Sequence, residues 1–255
     1  MAKYTFLGTG TSQGVPLIAC QCEVCQSKNP KDKRLRSSIR IEQDGKIIVI
    51  DSGPDFRQQM LRTDTRHLDG LVFTHEHKDH IAGMDDIRAF NYINERAVDV
   101  YATMRVQEAL RREYQYIFSD VRYPGIPEVS MHTIENNTDF DVAGVVIRPV
   151  EVMHLRLPVL GYRIGDLTYI TDANFITDQE KQKIIGSKVL VLNALRKEKH
   201  VSHFTLAEAI ALADELQVPE VYFTHISHQM GLHDEVSKSL PSGKHLAYDG
   251  LEIVL

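Results

Sequence analysis

The stretch that most constrains this chain is "LVFTHEHKDH", residues 71–80, in which a short apolar run ends in four metal-capable side chains: His75, His77, Asp79 and His80. Two other runs end the same way. "TYIT" delivers Asp172, and "VYFT" delivers His225. An apolar strand that releases such a side chain just past its last residue places it at the rim of a sheet, where the pockets of α/β proteins collect. Three endings of this kind point to convergence on one place. Imidazole suits Zn²⁺ and other first-row ions, and carboxylate suits Mn²⁺, Zn²⁺ and Fe²⁺. His75 and His77, alternate residues of an extended loop, can grip one ion. Asp79 and His80, one turn later, can grip a second. Four ligand types in six positions after a buried strand are too many for an ordinary polar loop.

Around this stretch, strand-like and helix-like runs alternate. Strands are expected at 3–8, 70–74, 144–152, 160–164, 167–171, 188–193 and 220–224. Hairpins with Asp-Gly turns are expected at 38–53 and at the end, in "HLAYDGLEIVL". Helices are expected at 54–63, with Pro54 at its first position, at 84–93, at 105–118, and at 205–217. The last has Thr205 and Glu208 spaced as a capping box. Hairpins mixed with β-α units predict two sheets with helices outside them. "GTGTSQG" misses the dinucleotide-binding spacing and reads as a tight turn. With 255 residues and 43% apolar content, one domain over 1–255 is expected, with an irregular segment at about 9–37. There is no apolar run of membrane-spanning length and no signal-peptide pattern, so a cytoplasmic protein with no membrane partner is expected. A net charge of −6 makes nucleic acid an unfavoured partner.

All three cysteines, Cys20, Cys22 and Cys25, lie in "CQCEVC". An odd number in a reducing compartment points to metal or redox work rather than disulfides. Three thiolates want a fourth ligand to close a tetrahedral zinc site. With no fourth cysteine, that ligand must be a histidine.

"HEHKDH" carries the H-x-H-x-D-H signature of the metallo-β-lactamase superfamily. "GTGTSQGVP", "CQCEVC", "VMH", "GYRI", "YITDA", "FTHISHQ" and "LPSG…YDGLEI" follow in the order seen in its cyclic-phosphate phosphodiesterase branch from bacterial phosphonate breakdown, so the chain resembles that branch over nearly its whole length. The resemblance implies an αββα sandwich with a two-metal site. His75, His77 and His154 would hold the first ion and Asp79, His80 and His225 the second, with Asp172 bridging them. It also implies that His228 completes a structural zinc site with the cysteines, and that His203 is the catalytic histidine. Asp79 is a ligand first, with a proton-shuttle role open to it. Asp51, ending "IIVID", is expected to hydrogen-bond a ligating imidazole and fix its tautomer.

Two divalent ions (Mn or Zn, with Fe also open) about 3.5–4 Å apart suit phosphodiester hydrolysis, since they bring a shared water's ionisation toward neutral pH. A small, cyclic phosphodiester is the expected substrate, with His203 protonating the leaving oxygen. His200, Arg196, Lys197 and Lys199 are further candidates for phosphate contact. His67, His132, His233 and His245 read as solvated. A homodimer is left open. The rival readings are a tRNA 3′-processing nuclease, a thioesterase or lactonase, and a non-catalytic protein of cofactor biosynthesis.

Overall fold

The strands record their own layering. In "KIIVI", Ile48 and Ile50 enter one apolar cluster while Ile47 and Val49 enter another. In "VLVLN", Val189 and Val191 join the first of these clusters, and Leu190 and Leu192 join a third. A strand buried on both faces needs a sheet on one side and helices on the other. The computed structural model, which describes residues 1–121 and 123–255, contains that arrangement in two seven-stranded sheets.

The first sheet takes β1 (Ala2–Gly8), β2 (Ser38–Gln43), β3 (Lys46–Ile50), β4 (Gly70–Val72), β5 (Val98–Ala102) and β6 (Val129–Thr133). The second takes β7 (Phe140–Val142), β8 (Val145–His154), β9 (Leu157–Ile164), β10 (Leu167–Ile170), β11 (Val189–Asn193), β12 (Glu220–Thr224) and β13 (Lys244–Leu246). β14 (Glu252–Val254) returns to the first sheet beside β1. Tyr4, Phe6, Ile39 and Ile41 meet Leu160, Tyr162 and Tyr169 between the sheets. Two of the tyrosine hydroxyls are paired there: Tyr4 donates to the Ile164 carbonyl at 2.9 Å and Tyr162 to the Phe73 carbonyl at 2.6 Å. Helix Leu206–Glu215 covers the second sheet. Helices Phe56–Arg62 and Met104–Glu113 cover the first.

Strand direction gathers the site. β3, β4 and β5 are mutually parallel, as are β10, β11 and β12. β8 is antiparallel to β9, and β9 to β10, so β8 also runs with β10. The C-terminal ends carrying Asp51, His75, His154, Asp172 and His225 therefore lie along one edge.

Several expectations hold. The 38–53 hairpin turns at Asp44–Gly45, both with positive φ, and Thr205 with Glu208 forms the capping box. "GTGTSQG" closes a turn in which the Gly14 amide donates to the Thr11 carbonyl at 2.7 Å. A Cβ on Gly8 would lie 1.9 Å from the Arg36 carbonyl oxygen, so only glycine fits there.

Four expectations are corrected. The C-terminal segment is not a hairpin: β13 runs parallel to β12 in one sheet and β14 antiparallel to β1 in the other. Residues 247–251 cross between sheets, anchored by Asp249, which accepts from the Thr9 and Leu35 amides. The expected helix 105–118 breaks at Tyr114 into Met104–Glu113 and Gln115–Phe118. The stretch 84–93 begins as a 3-10 turn, Met84–Ile87. The helix after Pro54 starts only at Phe56.

Candidate metal centre

Three strand exits share an unusual backbone. Asp51, Asp172 and His225 have φ of +65°, +53° and +55°, and all three are buried. The left-handed region costs a non-glycine residue roughly 1–2 kcal/mol. Three such residues together mark a site where side-chain aim outweighs backbone comfort.

The side chains converge. Asp172 lies at the middle: its Oδ2 is 3.2 Å from His80 Nε2, and its Oδ1 is 3.1 Å from His225 Nε2 and 3.9 Å from His203 Nδ1. Asp79 Oδ2 lies 3.2 Å from His80 Nε2 and 3.7 Å from His225 Nε2. The ligand atoms of Asp79, His80, Asp172 and His225 all fall within 4.8 Å of one another, and so do those of His154, Asp172 and His203. His75 Nε2 faces His77 Nδ1 at 3.0 Å, and the His154 ring centre stands 5.2 Å from that of His77. The structure thus brings together every expected ligand of the pair, and it sets His203 closer to Asp172 than the linear reading required.

Second partners fix the rings. Asp51 accepts from His80 Nδ1 at 2.7 Å and from the Thr74 amide and hydroxyl at 2.8 Å each. This leaves Nε2 of His80 aimed at Asp79 and Asp172. His154 Nδ1 donates to the Ser202 carbonyl at 2.9 Å, which aims its Nε2 inward. Thr171 donates to Asp172 at 2.6 Å.

The charge pattern matches a cation site. Burial opposes ionisation of Asp172, but His225 and His80 outweigh it and hold the carboxyl far below the ordinary range. Burial likewise opposes a charged Asp79, yet His80 and His225 hold it low. Burial pushes His75 well down, with His80 adding to the effect. Burial and then His225 push His203 down to about 2. Burial opposes a charged His80, yet Asp79, Asp172 and Asp51 raise it well above its ordinary value, so this imidazole carries a proton that a bound cation would displace, leaving the neutral imidazoles and ionised carboxylates that metal ligation needs. Moreover, His80 Nε2, His203 Nδ1 and both ring nitrogens of His225 are buried without a hydrogen-bond partner. Orphaned buried nitrogens are costly unless an ion takes them. The donors therefore fit divalent cations.

A second cluster forms at "CQCEVC". The donor atoms of Cys20, Cys22, Cys25 and His228 lie within 4.8 Å of one another, with His228 Nδ1 at 3.5 Å from the Cys20 sulfur and 3.2 Å from that of Cys22. Three sulfurs and one imidazole fit tetrahedral zinc. The segment is tied to the edge that carries the first cluster. Gly10 bridges both Arg36 and Ile226, and the Ile226 amide donates to the Thr9 carbonyl at 2.8 Å. Ile226 is the neighbour of His225.

The other histidines divide. His67, His132 and His245 are half-exposed and bond the Gly45 carbonyl, Asp99 and Glu220. His200 stands 5.1 Å, ring to ring, from His203. His233, expected to be solvated, is instead buried: its Nδ1 accepts from Arg34 Nη2 at 3.1 Å, and burial and Arg34 push it down to about 4. In the basic run, Arg196 is consumed by Gln229 and the carbonyls of Glu198 and Lys199, and Lys199 pairs with Glu208. Sequence reasoning passed over Thr74, Arg105 and Arg156. The last is visible only as the arginine two residues past His154.

Residues 46–226 match the family described as beta-lactamase superfamily domain. The chain belongs to the metallo-β-lactamase superfamily. A solved structure of a new diphosphatase from the PhnP family is 39% identical, with a TM-score of 0.93, over 100% of this chain and 98% of that one. An octanoyltransferase of Porphyromonas gingivalis is 40% identical over 251 residues, which is 98% of this chain but 51% of that protein. The chain thus spans about half the length of this curated relative. Zn²⁺-bound PqqB of Methylobacterium extorquens shares the fold at 21% identity, with a TM-score of 0.79 over 99% of this chain and 100% of that one. No helix among the described residues is long and apolar enough to cross a membrane.

Proposed function

We propose that the chain is a dinuclear phosphodiesterase acting on a small, cyclic phosphate ester. The observation that carries the reading is Asp172, whose two oxygens lie between the His80/His225 group and the His154/His203 group. A carboxylate so placed would be shared by the two ions of a dinuclear site. The near full-length likeness to a PhnP-family diphosphatase supports phosphoryl chemistry over carbonyl chemistry.

In this reading His75, His77 and His154 hold one ion and Asp79, His80 and His225 the other, with Asp172 shared. When bound, such ions supply Lewis acidity, polarising the phosphoryl oxygens and favouring ionised water at neutral pH. The chain's own residues do the rest. Asp51 and the Ser202 carbonyl keep His80 and His154 in the ligating tautomer. His203, stacked 4.8 Å from His225, stands beside the centre with an unpaired Nδ1. It is the proposed proton donor to the leaving oxygen. Burial disfavours its protonated form, and the negative charge of a bound phosphate beside it would favour that form, with the proton taken from solvent before the leaving oxygen departs. Cys20, Cys22, Cys25 and His228 hold a structural zinc that braces the segment touching Ile226.

The test is a hydrolysis screen of purified protein reloaded with Mn²⁺ or Zn²⁺. Bis(4-nitrophenyl) phosphate and 2′,3′-cyclic phosphates should be cleaved, while a thioester and a lactone should not. Turnover confined to the carbonyl substrates would overturn the reading.

A further inference from the structure

Asp79 and His80 stand on a helix of a single turn, Lys78–Ile81. So short a helix does not hold its own shape, because nucleation is unfavourable and one turn adds almost no propagation. Its neighbours must impose it. On one side the backbone closes in: a Cβ on Gly53 would meet the Asp79 carbonyl oxygen at 2.1 Å, and the Gly83 amide donates to the Ser52 carbonyl at 2.7 Å. On the other side lies the segment 104–118. Arg105 places Nε and Nη2 at 2.8 Å and 2.7 Å from Glu76 Oε1. Glu113 pairs with Lys78, the Tyr114 hydroxyl donates to the Ile81 carbonyl at 2.8 Å, and Tyr116 donates to Asp85. The partners rise in step along both stretches, so this segment braces the ligand loop along its length.

Tyr114 is the informative member. Arg105 and Lys78 are at least half exposed, and ion pairs of that kind contribute little. The Tyr114 ring instead packs against the apolar cluster that holds Ile81 and Met84. Its hydroxyl lies between two helix ends. It donates to the carbonyl of Ile81, the last residue of the one-turn helix, and faces the amide of Met84, the first residue of the 3-10 turn that follows. Helix ends leave such groups without partners of their own. Burial pushes the hydroxyl up to about 12, so it stays neutral and able to donate near pH 7. The break in the helix belongs to the same device. No glycine or proline stands between Arg111 and Asp120, yet one helix ends at Glu113, and Tyr114 takes φ of −120° and ψ of +45° before Gln115–Phe118 begins. A break without either residue needs a tertiary cause, and the bond to Ile81 supplies one.

We propose that Tyr114 is a positioning residue of the metal centre: its hydroxyl joins the turn that carries Asp79 and His80 to the turn after it, and so fixes the aim of those two side chains. This rests on the ligand assignment of the dinuclear reading and not on the substrate. Ile81 directly follows His80. A carbonyl held there sets the pitch of the turn, and with it the 3.2 Å approach of His80 Nε2 to both Asp79 and Asp172.

Tyr114→Phe keeps the ring and removes only the hydroxyl. In the metal-free protein, amide hydrogen exchange over 78–84 should speed up about 3- to 10-fold, the worth of one hydrogen bond, with the amides of β4 unchanged. In the full chain titrated with Zn²⁺ against a competing chelator, binding of one of the two active-site ions should weaken by a similar factor, about 3- to 10-fold, while the other keeps its affinity. The absorption spectrum of the Co²⁺-loaded protein should change with it. On bis(4-nitrophenyl) phosphate at saturating metal, kcat should fall and KM should stay. Leu110→Ala is the control. It empties a fully buried site on the same helix, so it should lower the melting temperature more than Tyr114→Phe and leave both ion affinities and the Co²⁺ spectrum as in wild type. Wild-type ion affinities and spectrum in Tyr114→Phe, or the same ion loss in Leu110→Ala, would overturn the proposal. If the wild type turns over no phosphodiester, the substrate reading fails, and the exchange and ion titrations still decide the role of Tyr114.

Discussion

Replacing Asp51 by asparagine should remove an ion from the centre without unfolding the protein. Asp51 is fully buried, and its carboxylate accepts three hydrogen bonds, from the Thr74 amide, the Thr74 hydroxyl and His80 Nδ1. Asparagine keeps the size and tolerates φ of +65°. Its oxygen can still take the Thr74 amide, and the threonine hydroxyl can turn round and accept. His80 cannot adapt so simply. The new NH₂ group faces Nδ1, so the ring proton must move to Nε2. That nitrogen points at Asp79 and Asp172, where the ion belongs. Forcing the ligating tautomer back leaves two donors facing each other in a buried site, a cost of about 1–3 kcal/mol. Ion affinity at the Asp79/His80/His225 position should therefore fall about 10- to 100-fold, or about 1.4–2.8 kcal/mol. Asp51→Ala is the contrast. It strands three donors and should lose at least about 3 kcal/mol of stability. The assay is titration of metal-free protein with Zn²⁺ against a competing chelator, alongside urea unfolding of the metal-free forms. An asparagine variant that holds both ions with wild-type affinity would refute the tautomer argument.

Other consequences are separable. Asp172→Ala should lower phosphodiesterase activity by orders of magnitude and reduce the count of bound active-site ions with the fold retained; near-normal turnover would rule out a shared bridge. Cys25→Ser and His228→Ala should each remove one tightly held zinc and lower the melting temperature, whereas wild type with freely titratable thiols in the folded state would exclude that site. His203→Ala should slow alkyl leaving groups far more than an acidic phenol, and equal losses on both would make it a phosphate binder. His233 predicts a pH limb: its folded pKa near 4 lies below the unfolded 6.5, so its stabilisation is complete above pH 6.5 and is lost as pH falls toward 4, by up to about 3 kcal/mol. In urea unfolding from pH 4 to 7, the difference between wild type and His233→Gln should show that limb, and a pH-independent difference would contradict it.

How much of this was legible differed by the kind of signal. The two-sheet architecture was readable because hairpins mixed with β-α units do not fit one doubly wound parallel sheet. The candidate ligands were readable because a strand must end before its side chain can turn inward. β5 and β6 were missed, since Asp99, Ser130 and His132 dilute their apolar pattern and only pairing in the sheet holds them as strands. The terminal hairpin failed for a related reason. "YDG" is a true turn signal, but a local turn does not say which sheet the next strand joins.

His233 shows the deeper limit. Nothing near it in sequence marks it as buried. It is covered because Arg34, far away in the chain, needs an acceptor: this guanidinium is itself buried, donating to the Thr9 hydroxyl at 2.8 Å and the Ala247 carbonyl at 2.6 Å, with the Asp32 carboxylate taking the His233 amide. The partners come from four separate stretches that meet only because the cysteine-bearing segment folds back over the Ile226 loop. Arg156 is the converse case. It has no ion pair or side-chain hydrogen bond among the described residues, and a missing partner can be recognised only once every neighbour is in place. Ligands announce themselves by type and spacing. A buried network is a property of the assembled surroundings, and it can be read only once every partner is in place.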